Sequence, residues 1–167
     1  MLKLIVAPPP ESVDPESVDA HFAGSCPGLV GGCAGAAVAV MPDHSGNGYW
    51  LVTNTGNVYG FGDAPYLGAP GHGTVTSAVP SPDGNGYWIL LSDGEVFGYG
   101  TSAYLGAPSS ANFNALDGAA AIFTTSDGAG YWISSAQGAV YRYGDAPYAG
   151  GMAGTHLNGS IIAGTGF

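Results

Sequence analysis

Gly-Tyr-Trp stands three times in the chain, at Gly48-Tyr49-Trp50, Gly86-Tyr87-Trp88 and Gly130-Tyr131-Trp132, with the tryptophans 38 and 44 residues apart. The register after each tryptophan is kept: a glycine at +6 (Gly56, Gly94, Gly138), another at +12 (Gly62, Gly100, Gly144), a tyrosine at +16 (Tyr66, Tyr104, Tyr148) and a glycine at +18 (Gly68, Gly106, Gly150). Length differences collect between the units, at residues 70–76 and 108–117. Fixed spacing inside a unit and variable spacing between units mark a repeat architecture, in which each unit buries a shared core against its neighbours.

Each unit reads as short strands. An apolar opening strand (residues 37–41, 77–79 and 119–124) leads into a turn holding Asp43, Asp83 or Asp127. The aromatic strand follows, then a tight glycine turn; Asp93-Gly94 between two apolar runs is a hairpin signal. A third strand pairs a valine with an aromatic (Val58-Tyr59, Val96-Phe97, Val140-Tyr141), and a fourth, short strand centres on Tyr66, Tyr104 or Tyr148. Four strands in about 40 residues is the size of a propeller blade. The expected fold is therefore all-β and β-propeller-like, with three four-stranded units at 36–75, 76–118 and 119–157. Residues 158–167 open a further unit, and residues 1–35 form an extended N-terminal arm. Within that arm Leu2, Leu4 and Val6 alternate as in an added strand, and a pentapeptide repeats at residues 11–15 and 16–20. Propellers close with about four to eight blades, so three leave sheet edges open. The expectation is association with copies of itself or with neighbouring subunits through the last strand.

The turns Ser81-Pro82-Asp83-Gly84-Asn85-Gly86-Tyr87-Trp88 and Thr125-Ser126-Asp127-Gly128-Ala129-Gly130-Tyr131-Trp132 resemble the Asp-box of sialidase-type propellers, with an aspartate five residues before a tryptophan. The longer pattern, Gly-Tyr-Trp, then Gly-x-Val-aromatic, then Gly-Asp-Ala-Pro-Tyr-x-Gly, resembles a repeat of actinobacterial surface proteins and of minor tail proteins of phages that infect mycobacteria and their relatives. Residues 36–150 carry it. Gly62-Asp63-Ala64-Pro65-Tyr66 and Gly144-Asp145-Ala146-Pro147-Tyr148 fit closely, whereas the second unit has Thr101-Ser102-Ala103 in place of Asp-Ala-Pro. The resemblance implies propeller architecture and a virion or cell-surface setting, and no particular activity.

Charge excludes several partners. The chain has 2 Lys plus Arg, Lys3 and Arg142, against 12 Asp plus Glu, for a net charge of -10. Two cations cannot neutralise a run of phosphates, so nucleic acid is excluded as a partner, as is an anionic bilayer surface. No apolar run reaches the roughly 18 residues of a membrane helix, and the opening residues 1–7 are too short for a signal-peptide core. With 46% apolar and 8% charged residues the composition is that of a folded domain. A lysine-poor surface without a leader fits a virion component, the expected location, with an extracellular or cell-surface protein as the alternative.

Candidate chemistry is sparse. The four histidines, His21, His44, His72 and His156, pair with no repeated serine or cysteine, and no P-loop, nucleophile elbow or metal-binding His-Glu motif is present. Sialidase chemistry calls on several arginines, and only Arg142 lies in the repeats. The expectation is a protein that is not an enzyme and takes no cofactor or metal. Trp50, Trp88 and Trp132 are assigned to the repeat core. Asp43, Asp83 and Asp127 are assigned to capping turn amides. Asp63, Tyr66, Tyr104, Asp145 and Tyr148 remain as candidate ligand-binding residues. Cys26 and Cys33 are close enough for a disulfide, with free thiols or a zinc site completed by other ligands as alternatives. The expected function is a structural virion protein of an actinobacterial phage, in the tail tip or a fibre, serving assembly and host-surface contact, with host wall glycan a candidate partner. The alternative is a glycan-binding propeller module of a bacterial envelope protein.

Overall fold

The structure is a computed structural model and describes residues 24–108 and 118–164. Nine strands lie in these residues: β1 Ala37–Pro42, β2 Tyr49–Thr53, β3 Val58–Phe61, β4 Val75–Pro80, β5 Gly86–Leu91, β6 Val96–Gly100, β7 Ala119–Thr124, β8 Gly130–Ser135 and β9 Val140–Gly144. They form three separate antiparallel sheets, ordered β1-β2-β3, β4-β5-β6 and β7-β8-β9. The one helical turn among the described residues is the 3-10 segment Cys26–Gly28, and no helix there is long and apolar enough to cross a membrane. The expected strand of Leu2, Leu4 and Val6, the tandem pentapeptide, His21 and residues 165–167 fall outside the described residues.

The sheets share one register. A bulge recurs at the start of each opening strand, between Ala37 and Ala39, Val75 and Ser77, and Ala119 and Ala121. A bulge at one fixed place gives each sheet the same local twist. The core lies between consecutive sheets. Trp50, Val52 and Met41 of the first meet Val75, Tyr87, Ile89 and Leu91 of the second. Trp88, Leu90 and Val96 of the second meet Ala119, Ile122, Tyr131 and Ile133 of the third. Burial of each large side chain contributes about 1.5–3 kcal/mol, so a sheet in the middle gains from both faces. Every residue of β5, the central strand of the middle sheet, is buried. The opening strands β1, β4 and β7 also touch one another in sequence.

Two expectations are corrected. The fourth strand of each unit does not form: residues around Tyr66, Tyr104 and Tyr148 run as irregular backbone, so the units are three-stranded. Pro65 and Pro147 have no N–H to give a ladder. In all three units a side chain holds this segment instead, because the indole Nε1 of Trp50, Trp88 and Trp132 donates to the carbonyl of Pro65 (2.6 Å), Ala103 (2.8 Å) and Pro147 (2.7 Å). The second correction concerns Trp132. Trp50 and Trp88 are 0% and 1% exposed, but Trp132 is only partly buried. The first two are covered by the tyrosine of the following unit, and among the described residues no following unit covers the third.

At the C-terminal end, Ile161 N–H donates to the Ala136 carbonyl at 2.9 Å. Val75 to Asn54 and Ala119 to Ser92 make the same bond where β4 and β7 begin. The segment 158–164 thus takes the place of an opening strand, yet enters no ladder among the described residues. At the other end, the segment read as an extended arm lies on the first sheet from Gly24 onward. Tyr49 Oη donates to the Gly24 carbonyl, Ala34 N–H to Tyr59 Oη at 2.9 Å, and Ala36 N–H to Asn54 Oδ1 at 2.8 Å.

Candidate functional site

The glycine of each Gly-Tyr-Trp lets the unit fold over itself. A Cβ on Gly48, Gly86 or Gly130 would stand 2.3 Å, 2.7 Å or 2.5 Å from the backbone nitrogen of Ala64, Thr101 or Ala146, in the irregular segment that follows the third strand, and on Gly86 also 2.4 Å from the Tyr99 carbonyl oxygen of that strand. With glycine there, that segment passes directly across the aromatic strand. The indole bonds described above then fix the residue just before Tyr66, Tyr104 and Tyr148.

A second anchor comes from the next unit. Tyr87 Oη donates to the Gly68 carbonyl at 2.7 Å, and Tyr131 Oη donates to the Gly106 carbonyl. Gly68 and Gly106 adopt φ values of 137° and 130°, a region that L-residues avoid. A Cβ at either would strike the ring of Tyr99 or Tyr143. Tyr66 and Tyr104 therefore project from short segments held on one side by an indole and on the other by a phenol. Among the described residues Tyr148 has the indole anchor alone.

The three tyrosines are the exposed aromatic feature of the repeat, at 66%, 63% and 59% accessibility. Behind each of the first two stands a phenol cluster. Tyr66 acts electrostatically on Tyr87 and Tyr99, and Tyr104 acts on Tyr131 and Tyr143. The rings of Tyr87 and Tyr99 are 5.4 Å apart, and those of Tyr131 and Tyr143 are 5.6 Å apart. Burial pushes the Tyr87 and Tyr131 hydroxyls up to about 12. Both are neutral donors at any physiological pH.

The aspartates do not join this row as a set. Asp145 sits over the hairpin turn of its own unit, with Oδ1 2.6 Å from where a Cβ on Gly130 would be. Its side chain lies beside Asp127. Thr101 holds the same place in the second unit and donates to Asp83 Oδ1 at 2.9 Å. Asp63 is exposed, with its backbone against Gly48.

Asp43, Asp83 and Asp127 lie in turns and accept hydrogen bonds there. Asp43 Oδ1 takes the amides of Gly46 (3.0 Å) and Gly48 (3.2 Å). Asp83 Oδ1 takes Ser81 Oγ and the Asn85 amide, and Asp127 Oδ1 takes Thr125 Oγ1 and the Ala129 amide. The Ser81 hydroxyl, then the Asn85 amide, hold the Asp83 carboxyl down at about 2, and the Thr125 hydroxyl lowers Asp127. Among the described residues no group of three or more His, Cys, Asp or Glu is placed to hold a metal ion.

Cys26 and Cys33 form a disulfide with Cα atoms 5.0 Å apart. It closes the loop between the two points, Gly24 and Ala34–Ala36, at which the N-terminal segment docks on the first sheet. Sequence reasoning missed what this segment imitates. Asp19-Ala20-His21-Phe22-Ala23-Gly24 follows the pattern of Asp145-Ala146-Pro147-Tyr148-Ala149-Gly150. Gly24, at φ 132°, meets Phe61 and Tyr49 as Gly68 meets Tyr99 and Tyr87. The signal was present, but histidine and phenylalanine in place of proline and tyrosine hid it. The phenol clusters were missed as well, though the aromatic eleven residues after each tryptophan (Phe61, Tyr99, Tyr143) is as regular as the tyrosines that were singled out.

No protein-family model matches the chain, and no curated protein does. Among solved structures, the β-propeller domain of Cps50 (Swd1) from Myceliophteria thermophila is similar, with a TM-score of 0.54 at 12% identity over 76% of this chain and 44% of that one. The chain thus spans less than half of that structure, and the likeness is one of fold alone.

Proposed function

We propose that the chain is a non-catalytic repeat scaffold of β-propeller type that contacts a glycan-bearing surface through its row of exposed tyrosines. Its three sheets are read as successive blades, and its setting as the tail tip or fibre of an actinobacterial phage, where it serves assembly and contact with the host wall. The observation that carries this reading is Tyr66, Tyr104 and Tyr148, each more than half exposed at an equivalent place in consecutive units. The three rings stand at matching places on held segments, and a phenol face stacks on the apolar face of a sugar ring while its hydroxyl bonds to sugar hydroxyls. Three equivalent rings also favour a polymer with repeated units, because each further contact is made at high effective concentration.

The net charge of -10 fits a neutral polysaccharide as ligand and opposes nucleic acid or an anionic lipid surface. The test is a pull-down on purified actinobacterial cell walls, with Tyr66→Ala/Tyr104→Ala/Tyr148→Ala as the control. Retention of the wild type and release of the triple variant support the reading, and equal retention of both contradicts it. Mass spectrometry of purified virions separates a tail component from the alternative, an envelope lectin that uses the same row.

A further inference from the structure

The connection from the first unit to the second is fixed at both ends and lightly tied between them. Gly68 is held by the Tyr87 hydroxyl, and the Thr74 carbonyl takes the Ser92 N–H at 2.8 Å. Between these points Gly71, His72 and Gly73 are exposed. Gly71 and Gly73 adopt φ values of 73° and 76°, the left-handed region that glycine enters without strain. The side chain that ties this stretch down is His72. Its Nδ1 lies 3.1 Å from the Pro70 carbonyl oxygen and its Nε2 lies 3.0 Å from Glu95 Oε2, while its ring stands edge-on to Phe97 with centroids 5.5 Å apart.

Both partners of the imidazole are oxygens that only accept. A neutral imidazole has one N–H and one bare nitrogen, so it donates to the carbonyl or to the carboxylate and turns a lone pair toward the other. Only the imidazolium, with an N–H on each nitrogen, makes both bonds. Glu95 meets it from a turn that is already fixed, because Leu91 N–H donates to the Glu95 carbonyl and Glu95 N–H donates to Asp93 Oδ1. The hydrogen bond to Glu95 and, behind it, the Pro70 carbonyl and the charge of Asp93 hold the His72 pKa above its ordinary 6.5. Glu95 and Asp93 are the charged groups that act on His72 among the described residues. The first unit's turn at residues 54–57, where a Cβ on Gly56 would lie 3.6 Å from the His72 carbonyl oxygen, carries no charged side chain, and neither does β6. Asn57 and Ala139 stand where Glu95 stands, so the other two units offer no such carboxylate.

We propose that His72 is a proton-operated latch on the connection between the first two units. As the imidazolium it pins residues 70–73 across the β5–β6 turn, and on losing its proton it keeps one of its two bonds and releases the connection. What the latch covers is the edge of the first core: a Cβ on Gly73 would strike the Leu91 side chain at 2.5 Å, and Leu91 is 0% exposed. An exposed ion pair is a weak force, but an exposed loop with no other side-chain tie needs no more than that to change its order. The sign follows from the raised pKa: the latch is closed below pH 6.5 and opens as pH rises through the folded-state value.

The test is NMR on the whole chain. The His72 ring signals should titrate above pH 6.5 in the wild type and lower in Glu95→Gln. Order parameters of the Gly71 and Gly73 Cα–H bonds, which do not exchange with water, should be about 0.85 at about pH 5.5 and fall toward 0.6 at about pH 8.5. The fall should shrink in Glu95→Gln and vanish in His72→Gln, whose amide donates at every pH. The His72 and Glu95 side chains are 61% and 55% exposed, so neither substitution disturbs the core. A His72 that titrates at or below 6.5 overturns the proposal. So do glycines whose order in the wild type is the same at both pH values, or changes as much in His72→Gln.

Discussion

Ser102 shows how one residue departs from the repeat and what that costs. It stands where the other units have Ala64 and Ala146, 4% exposed, and its hydroxyl finds no partner among the described residues. Ser102→Ala restores the repeat's own residue and removes a stranded polar group. The expected gain is about 1 kcal/mol in unfolding free energy, read as a higher midpoint of urea unfolding at unchanged slope. The buried phenols give a second expectation. Tyr87 and Tyr131 ionise only near pH 12 in the folded protein, above their ordinary value of 10.0. Their contribution to stability is complete below pH 10 and is lost as pH rises through 12. A spectrophotometric titration at alkaline pH should show two tyrosines ionising late, together with loss of the folded signal; a single transition for all ten tyrosines near pH 10 would contradict the described burial.

At the scale of the element, what could be read from sequence followed how local the cause was. The three strands of each unit were read correctly because their signals are local: valine and aromatics in a short run, bounded by glycine turns. The fourth was misread because Tyr66, Tyr104 and Tyr148 sit in similar-looking runs, while the carbonyls beside them are claimed by an indole fifteen residues earlier. The ligand candidates divided the same way. The tyrosines were singled out for their place near the ends of the units, and they are exposed, but the turn of Asp145 toward Asp127 depends on a contact across the unit. The aspartate turns are also where acid acts. The Asp83 carboxyl falls from 3.8 to about 2, so its contribution is present above pH 3.8 and lost as pH falls through 2. Asp83→Ala should flatten the dependence of the melting temperature on pH across that window, and a variant as acid-sensitive as the wild type would show that the turn bonds do not act on stability.

For the whole molecule, the repeat makes three sheets in one register. The segment from Gly24 to Ala36 docks on the first of them and is clamped by Cys26–Cys33. Opening a loop of this size costs about 2 kcal/mol. Cys26→Ser/Cys33→Ser should lower the melting temperature and make Tyr49 more accessible to iodination, with Tyr87 unchanged; equal protection of Tyr49 in both forms would show that the clamp is dispensable. The middle of the row carries the proposed function, because units stacked in one register set Tyr66, Tyr104 and Tyr148 at matching positions. Calorimetric titration of a purified host-wall polysaccharide into the wild type and into single, double and triple Tyr→Ala variants tests this most directly. Affinity should fall by several-fold with each tyrosine removed and vanish in the triple variant, while the melting temperature stays within 1–2 °C of wild type, as expected for exposed positions. Undiminished binding by the triple variant, or none by the wild type, would contradict it.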